Sequence, residues 1–130
     1  MRILFLDDDA NRHKKFQSLL GIKYYPAYTA EEAISFLKSS QFDLVSLDHD
    51  LGNEVYVDSF GETPTGYTVA KWIAENKPKI GAIVLHSLNP PGVANMKSIL
   101  RNDYYLFICP FIYMTDKTIA ALIDDINESK

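Results

Sequence analysis

Short apolar segments alternate along the chain with longer amphipathic segments, a pattern typical of repeated βα units around a parallel sheet. Five apolar runs rich in Ile, Val, Leu, Phe and Tyr have the length of strands. The predicted strands are Arg2–Leu6, Tyr24–Tyr28, Leu44–Asp48, Ala82–His86 and Tyr105–Cys109. The predicted helices are Asn11–Leu20, Ala30–Ser39, Gly66–Asn76, Val93–Arg101 and Asp116–Asn127. The pattern therefore predicts a doubly wound (βα)5 α/β fold whose five parallel strands lie in the order 2-1-3-4-5.

Residues that can cap helices stand at the predicted helix starts. Asp9, Thr65 and Thr115 can cap the first, third and fifth helices, and Thr29 with Glu32 predicts a capping box for the second. Strand-to-helix joints of a parallel sheet collect at its carboxyl edge, so polar groups there come together although they are scattered in sequence.

One long connection interrupts the regular spacing of strands and helices. It runs over residues 51–64, LGNEVYVDSFGETP, between the third strand and the third helix. Its length exceeds the few residues usual for such a joint. We interpret it as either a functional lid or a flexible insertion.

Length and composition are those of a single globular domain spanning residues 1–130. The chain is 47% hydrophobic and 23% charged, and 130 residues can bury a core without disulfides. No apolar run approaches the roughly 20 residues needed to span a bilayer. The start, MRILFLDDDA, reaches acidic residues too early for a signal peptide. We therefore expect a soluble, cytoplasmic protein with no membrane partner, whose oligomeric state the sequence does not indicate.

The formal net charge of -4 argues against a DNA-binding surface, which needs clustered Lys and Arg to neutralise phosphates. The one short basic cluster, residues 12–15, is interpreted as the solvated side of a helix. A small phosphorylated ligand remains compatible with this charge, because helix N-termini or a bound cation attract phosphate locally.

Carboxylates follow the first and third strands, which are neighbours in the predicted order. Asp7 and Asp8 come after the first strand, and Asp48 ends the third. Crowded carboxylates are driven towards protonation unless a cation neutralises them, and Mg²⁺ prefers carboxylate oxygens. The sequence therefore predicts a divalent metal site formed by Asp7, Asp8 and Asp48, with Mg²⁺ as the first candidate and Mn²⁺ as the second. Asp9 is interpreted as a helix cap and Asp50 as a turn residue.

All three histidines are expected near this edge of the sheet. His49 and His86 lie at strand ends, and His13 lies on the inward stripe of the first helix. Imidazole titrates near pH 6.5, so His49 and His86 are predicted to share proton transfer, in either order, with Asp48 as a further catalytic group. His13 either orients a partner, binds phosphate or packs as a core histidine. Replacing His86 by Ala is expected to lower turnover and leave stability nearly unchanged.

Two further segments are candidate anion-binding sites. Ser87 and Asn89 follow the fourth strand, and Thr65 with Gly66 begins the third helix. Their hydroxyl, amide and backbone N–H groups can bind a phosphate, although the same residues are equally suited to turns and caps. We assign all four to substrate binding as a prediction.

The sequence resembles the receiver domains of two-component response regulators, which have the flavodoxin-like fold, over nearly the whole chain. The resemblance implies that Asp7 and Asp8 bind Mg²⁺ and that Asp48 is the acceptor aspartate. Receivers carry a Lys-Pro after the fifth strand, where this chain reads Cys109-Pro110, and the missing lysine argues against an ordinary phosphorelay role. The segments LDDDANRHKKF, LDHDLG, TGYTVAKWI and VLHSLNPPGVANM look like a divergent receiver subset predicted to process cyclic phosphates.

The leading functional hypothesis is a metal-assisted phosphoesterase acting on a cyclic nucleotide or a 2′,3′-cyclic phosphate end. Attack by water and attack by Asp48 both remain open. A second hypothesis is a non-catalytic module that binds or sequesters a phosphorylated nucleotide or a protein partner. A third is an atypical phosphoacceptor that signals through Asp48.

Overall fold

A computed structural model describes residues 1–51 and 64–129. Five parallel strands form one sheet in the order β2-β1-β3-β4-β5, which confirms the predicted fold class and strand order. The strands are β1 (Ile3–Leu6), β2 (Tyr25–Ala27), β3 (Phe42–Leu47), β4 (Ile80–Leu85) and β5 (Leu106–Ile108). The helices are α1 (Ala10–Leu20), α2 (Ala30–Ser39), α3 (Gly66–Asn76), α4 (Pro90–Leu100) and α5 (Asp116–Glu128), with a short 3₁₀ helix at Phe111–Tyr113. Residues 52–63 of the predicted long connection, which spans residues 51–64, lie outside the described residues.

The sheet is covered by helices on both faces. Leu4 and Leu6 of β1 pack in the layer formed with α2, α3 and α4. Ile3 and Phe5 of the same strand pack in the layer formed with α1 and α5. Successive side chains of a strand point to opposite faces, so a strand covered on both sides is apolar throughout. All four residues of β1 are buried, as this arrangement requires. Among the described helices, none is long and apolar enough to cross a membrane.

The three central strands end in register. Leu6 of β1 pairs with Leu47 of β3, and Leu47 pairs with Leu85 of β4. The backbone N–H of Asp48 donates to the Leu6 carbonyl and that of His86 to the Leu47 carbonyl, each over 3.0 Å. The ionisable residues that follow these strands are therefore neighbours at the carboxyl edge of the sheet. They are Asp7, Asp48 and His86.

The predicted caps are present. Asp9 accepts from the backbone N–H groups of Asn11 and Arg12 at the start of α1. Reciprocal capping boxes begin α3 at Thr65 and α5 at Thr115. At α2, Thr29 accepts from the Glu32 N–H, which is one half of the predicted capping box, whereas the Glu32 carboxylate accepts from the Tyr28 N–H over 2.8 Å.

Helix α4 begins at Pro90, three residues before the predicted start at Val93. Asn89 is its cap, and the side-chain oxygen of Asn89 accepts from the Gly92 N–H over 3.0 Å. The two prolines fit the first turn because N–H groups there have no partner within the helix. Asn-Pro-Pro-Gly, which the sequence left open between an anion site, a turn and a cap, therefore forms the cap and first turn of α4.

Gly66 brings the start of α3 against the end of β3. Its N–H donates to the His49 carbonyl over 2.8 Å. A Cβ atom at this position would collide with the backbone carbonyl oxygen of Asp48. The contact makes the Gly66 N–H a structural donor, unlike the phosphate donor that the sequence suggested.

Gly66→Ala is expected to lower the free energy of unfolding by about 3 kcal/mol, because backbone atoms beside Asp48 must shift to admit the methyl group. Gly21→Ala is the matched control. Gly21 has a φ of 74° with nothing within 4 Å of its added Cβ, so only the left-handed backbone is penalised, by about 1 kcal/mol. Urea unfolding of both variants measures the difference. Equal losses would contradict the close approach of α3 to β3.

Candidate functional site

Asp7, Asp48 and His86 lie side by side at the carboxyl edge of the sheet. Each offers an atom that can bind a metal ion, and these atoms lie within 4.8 Å of one another. All three residues are buried. The structure thus brings together two of the three predicted metal ligands and places His86 beside them. Asp8, the third predicted ligand, lies beside the group and is partly exposed.

His86 is held on three sides. Its Nε2–H donates to Asp7 Oδ2 over 3.0 Å, and its Nδ1 lies 2.7 Å from the hydroxyl oxygen of Ser46. The ring stacks on Phe5 with centroids 4.5 Å apart and ring planes at 8°. Nε2 carries a proton because an ionised carboxylate can only accept. The neutral ring accepts from Ser46 at Nδ1, whereas the imidazolium donates to it.

Arg12 is the residue of this site that sequence reasoning missed. Its Nε donates to Asp7 Oδ2 over 2.8 Å. Its terminal nitrogens lie 3.6 Å from carboxylate oxygens of Asp8 and Asp9, and 3.7 Å from Asp48 Oδ2. One guanidinium thus faces four carboxylates. The spacing of three and four residues from Asp9 and Asp8 was the available signal, because such pairs meet on a helix surface.

The two buried carboxyl groups have opposite pKa shifts. Burial alone would raise the pKa of Asp7, but hydrogen bonds from His86, Arg12 and the Asp9 N–H bring it down to about 2. Burial raises the pKa of Asp48 to about 6, assisted by the negative charge of Asp7 and opposed by the nearby His86 and Arg12. The described hydrogen bond of the Asp48 side chain comes from the N–H of His49. Asp7 is therefore a well-stabilised anion, while Asp48 lacks sufficient positive charge around it.

His13 lies behind Asp7, within the core. Its Nε2–H donates to the Asp7 carbonyl over 2.8 Å, and its Nδ1 lies 2.8 Å from the Tyr24 hydroxyl. It is 3% exposed and stacks on Tyr28. These contacts favour the core-histidine interpretation and support the backbone at Asp7. A catalytic or phosphate-binding role for His13 stays a prediction.

His49 belongs to a second cluster, at the start of α4. Its Nδ1 lies 3.0 Å from Asp50 Oδ1, and the Asn89 amide donates to both Asp50 oxygens over 3.1 and 3.3 Å. The His49 ring lies where a Cβ atom of Gly92 would be. Asp50 therefore does more than form a turn, and Asn89 positions Asp50 as well as capping α4. The described hydrogen bonds of His49 and His86 have different partners: His49 contacts Asp50, whereas His86 contacts Asp7 and Ser46.

A cleft of about 160 Å³ opens above the buried group. Its polar lining is Arg12, Asp48, Asp50, His86 and Ser87, and its apolar lining is Leu88, Phe111 and Ile112. Of the four predicted substrate-binding residues, Ser87 lines this cleft, whereas Thr65, Gly66 and Asn89 are engaged in the helix caps described above. A wider depression of about 720 Å³ lies at the opposite, amino edge of the sheet, near Arg2 and Lys79. We place the candidate site in the smaller cleft because the buried ionisable groups lie there.

Comparisons with known proteins agree on the type of domain. Residues 2–102 match a family described as cyclic-phosphate processing receiver domain. The fold is similar to the receiver domain of the Francisella response regulator 1452, with a TM-score of 0.68, 15% identity, and coverage of 99% of this chain and 98% of that chain. It is similar to the receiver domain of NtrX from Brucella abortus, with a TM-score of 0.67, 18% identity, and coverage of 98% and 99%. A search of curated proteins finds no match.

Asp48→Asn is expected to change the pH dependence of stability. The pKa of Asp48 rises from 3.8 to about 6 on folding, so the folded state holds the extra proton between about pH 4 and pH 6. This contribution weakens the fold as pH rises through that window and stays unfavourable above it. The free energy of unfolding of the variant, relative to that of the native chain, should therefore increase as the pH rises from 4 to 7, by up to about 3 kcal/mol.

Urea unfolding in EDTA at both pH values measures this gain. Asp124→Asn, which makes the same chemical change on the exposed side of α5, is the matched control. The same pH dependence in both variants would contradict the strained charge at Asp48.

His86→Ala is expected to be costly in stability, which corrects the expectation from the sequence. The change removes a ring that is 2% exposed and takes one hydrogen bond from each of Asp7 and Ser46, at a cost of about 2 to 4 kcal/mol. His49→Ala removes a partly exposed ring and should cost about 1 kcal/mol or less. Equal losses in chemical denaturation would show that His86 is not held as the structure indicates.

Proposed function

The chain belongs to the family of cyclic-phosphate processing receiver domains, and we propose that it is a metal-assisted phosphoesterase that hydrolyses a cyclic phosphate. The observation that carries the proposal is the buried group of Asp7, Asp48 and His86 at the base of an open cleft. Buried carboxylates beside an imidazole in a cleft are unusual unless they bind or react with a ligand.

The group fits a divalent cation. Asp7 and Asp48 supply the carboxylate oxygens that Mg²⁺ and Mn²⁺ prefer, and Asp8 is next to them. The raised pKa of Asp48 is the sign of a carboxylate that an additional cation would stabilise. We propose that these three residues hold the ion. When bound, such an ion polarises phosphoryl oxygens and lowers the pKa of a water molecule.

The two histidines suit complementary proton transfers. Asp50 accepts from His49 Nδ1–H, which leaves Nε2 of the neutral ring as a proton acceptor. His86 lines the cleft with its Nε2–H bonded to Asp7, and its imidazolium form could deliver that proton to a substrate oxygen that replaced Asp7 as the acceptor. We propose that His49 takes a proton from the attacking water and that His86 gives one to the leaving ester oxygen. The new P–O bond to water and the broken ester bond then yield a phosphate monoester and an alcohol group on one product.

The shape of the cleft favours a ligand with a buried phosphate and an exposed remainder. A volume of about 160 Å³ is smaller than the roughly 300 Å³ or more that encloses a drug-sized ligand. Leu88 and Ile112 on its rim are 61% and 65% exposed, and they offer an apolar surface to a base or sugar. A cyclic nucleotide or a 2′,3′-cyclic end would place its phosphate among the polar residues and its base on this rim.

A second candidate is a receiver-like module without hydrolytic activity. Asp48 follows β3 and is in contact with the cleft, so it could accept a phosphoryl group or bind a phosphorylated ligand that is not turned over. The small volume of the cleft is compatible with a phosphoryl group alone. Labelling of Asp48 by acetyl phosphate, lost in Asp48→Asn, would identify this function.

The proposal is tested by incubating the protein with cyclic mono-, di- and oligonucleotides and 2′,3′-cyclic ends, with Mg²⁺, Mn²⁺ or EDTA. We expect metal-dependent ring opening of at least one substrate, detected as a gain of one water by mass spectrometry. His49→Gln should lower the turnover rate by about 10² to 10⁴, the usual contribution of one acid or base. Asn95→Gln, on the exposed side of α4, should leave the rate unchanged.

Three outcomes separate the candidates. Full activity in His49→Gln would remove His49 from the reaction. Metal-independent activity would contradict the role of the carboxylates. Tight binding of a cyclic nucleotide without any product would favour the non-catalytic module.

A further inference from the structure

Arg12 contacts the same carboxylate groups that are proposed to hold a divalent ion. The carboxylate of Asp7, which accepts from Arg12 Nε over 2.8 Å, belongs to the group that could bind a metal ion. The terminal nitrogens of Arg12 reach the other two proposed ligands, Asp8 at 3.6 Å and Asp48 at 3.7 Å. We propose that Arg12 is an exchangeable counter-ion of this site, which a divalent ion must displace in order to bind. The inference rests on the proposed metal site and concerns how that site is loaded.

Simultaneous binding is electrostatically unfavourable. Mg²⁺ binds oxygen at about 2.1 Å, so an ion on the Asp7 carboxylate would lie within a few ångströms of the guanidinium. The two cations would repel each other strongly even in a well-solvated site. The guanidinium cannot relieve this repulsion by losing its proton, because its hydrogen bond to Asp7 and the surrounding carboxylates raise the pKa of Arg12 further. Displacement is therefore the available response.

The side chain of Arg12 has a route out of the group. It is 39% exposed and lines the open cleft. Its backbone is held separately, because the Arg12 N–H donates to the cap Asp9. The guanidinium can therefore swing towards solvent without unwinding α1. Arginine side chains have several rotatable bonds, so such a movement involves ordinary rotamer changes.

The first experiment compares Mg²⁺ affinity by isothermal titration calorimetry in the native chain and in Arg12→Gln. Removing the competing charge should tighten Mg²⁺ binding about tenfold or more. Lys15→Gln is the matched control, since it removes one positive charge from the exposed side of the same helix. Its Mg²⁺ affinity should stay within about twofold of the native value, as expected for a screened surface charge.

The outcomes distinguish this inference from the proposed function. Native and Arg12→Gln proteins that bind Mg²⁺ equally would overturn the displacement and leave the metal site standing. No binding of Mg²⁺ or Mn²⁺ to either protein would overturn both. Tighter binding in Arg12→Gln alone would support the displacement, even if the native affinity were too weak to measure.

A second measurement needs no substitution and applies if Arg12→Gln fails to fold. Arginine Nε–H groups that are hydrogen-bonded give resolved NMR signals, and the Arg12 Nε–H is bonded to Asp7. Adding Mg²⁺ should shift this signal or lose it to exchange with water, in proportion to the bound fraction. An unchanged Arg12 signal at saturating Mg²⁺ would overturn the proposal.

Discussion

The candidate site depends on the common register of three buried strands. Since Leu6, Leu47 and Leu85 are paired across the sheet, the next residue of each strand emerges at one level. Those residues are Asp7, Asp48 and His86, so the backbone hydrogen bonds of the sheet hold ionisable groups together in a place with little water. Charges buried in this way must be compensated by hydrogen bonds or by opposite charge. The surrounding residues supply that compensation unequally.

Asp7 and Asp48 illustrate this inequality. Asp7 accepts from His86, Arg12 and the Asp9 N–H, and its carboxylate is stabilised. Asp48 has the His49 N–H and a distant edge of the Arg12 guanidinium. The site therefore combines a fixed anion with one that gains from additional positive charge. A divalent ion would supply the positive charge that Asp48 lacks, and Arg12 is the residue whose place that ion would take.

The sequence was sufficient for the framework and insufficient for the contacts around it. Apolar runs of strand length that alternate with helices predicted the doubly wound fold and its strand order. Because parallel strands end at one edge of a sheet, Asp7, Asp48 and His86 were correctly predicted to lie close together. Arg12 was missed because a basic residue in a basic cluster usually faces solvent, and only the helix start at Ala10 directs it onto the acids. The pairing of His49 with Asp50 was missed because Asp50 is held by Asn89, the cap of α4. The sequence predicted that α4 begins at Val93, after the two prolines, so it did not place Asn89 at the helix start. The bond from Gly66 to His49 likewise depends on how closely α3 approaches β3, which a sequence does not specify.

A crystal structure of the protein grown or soaked with Mn²⁺, with anomalous data collected at the manganese edge, would show whether an ion takes the place of Arg12 between the carboxylates. We expect an anomalous peak bound by Asp7 and Asp48 at about 2.2 Å, the distance usual for Mn–oxygen bonds. We also expect that the Arg12 guanidinium has left Asp7 in the same crystal. A crystal saturated with Mn²⁺ that shows no peak between these carboxylates, with Arg12 still bonded to Asp7, would contradict the account.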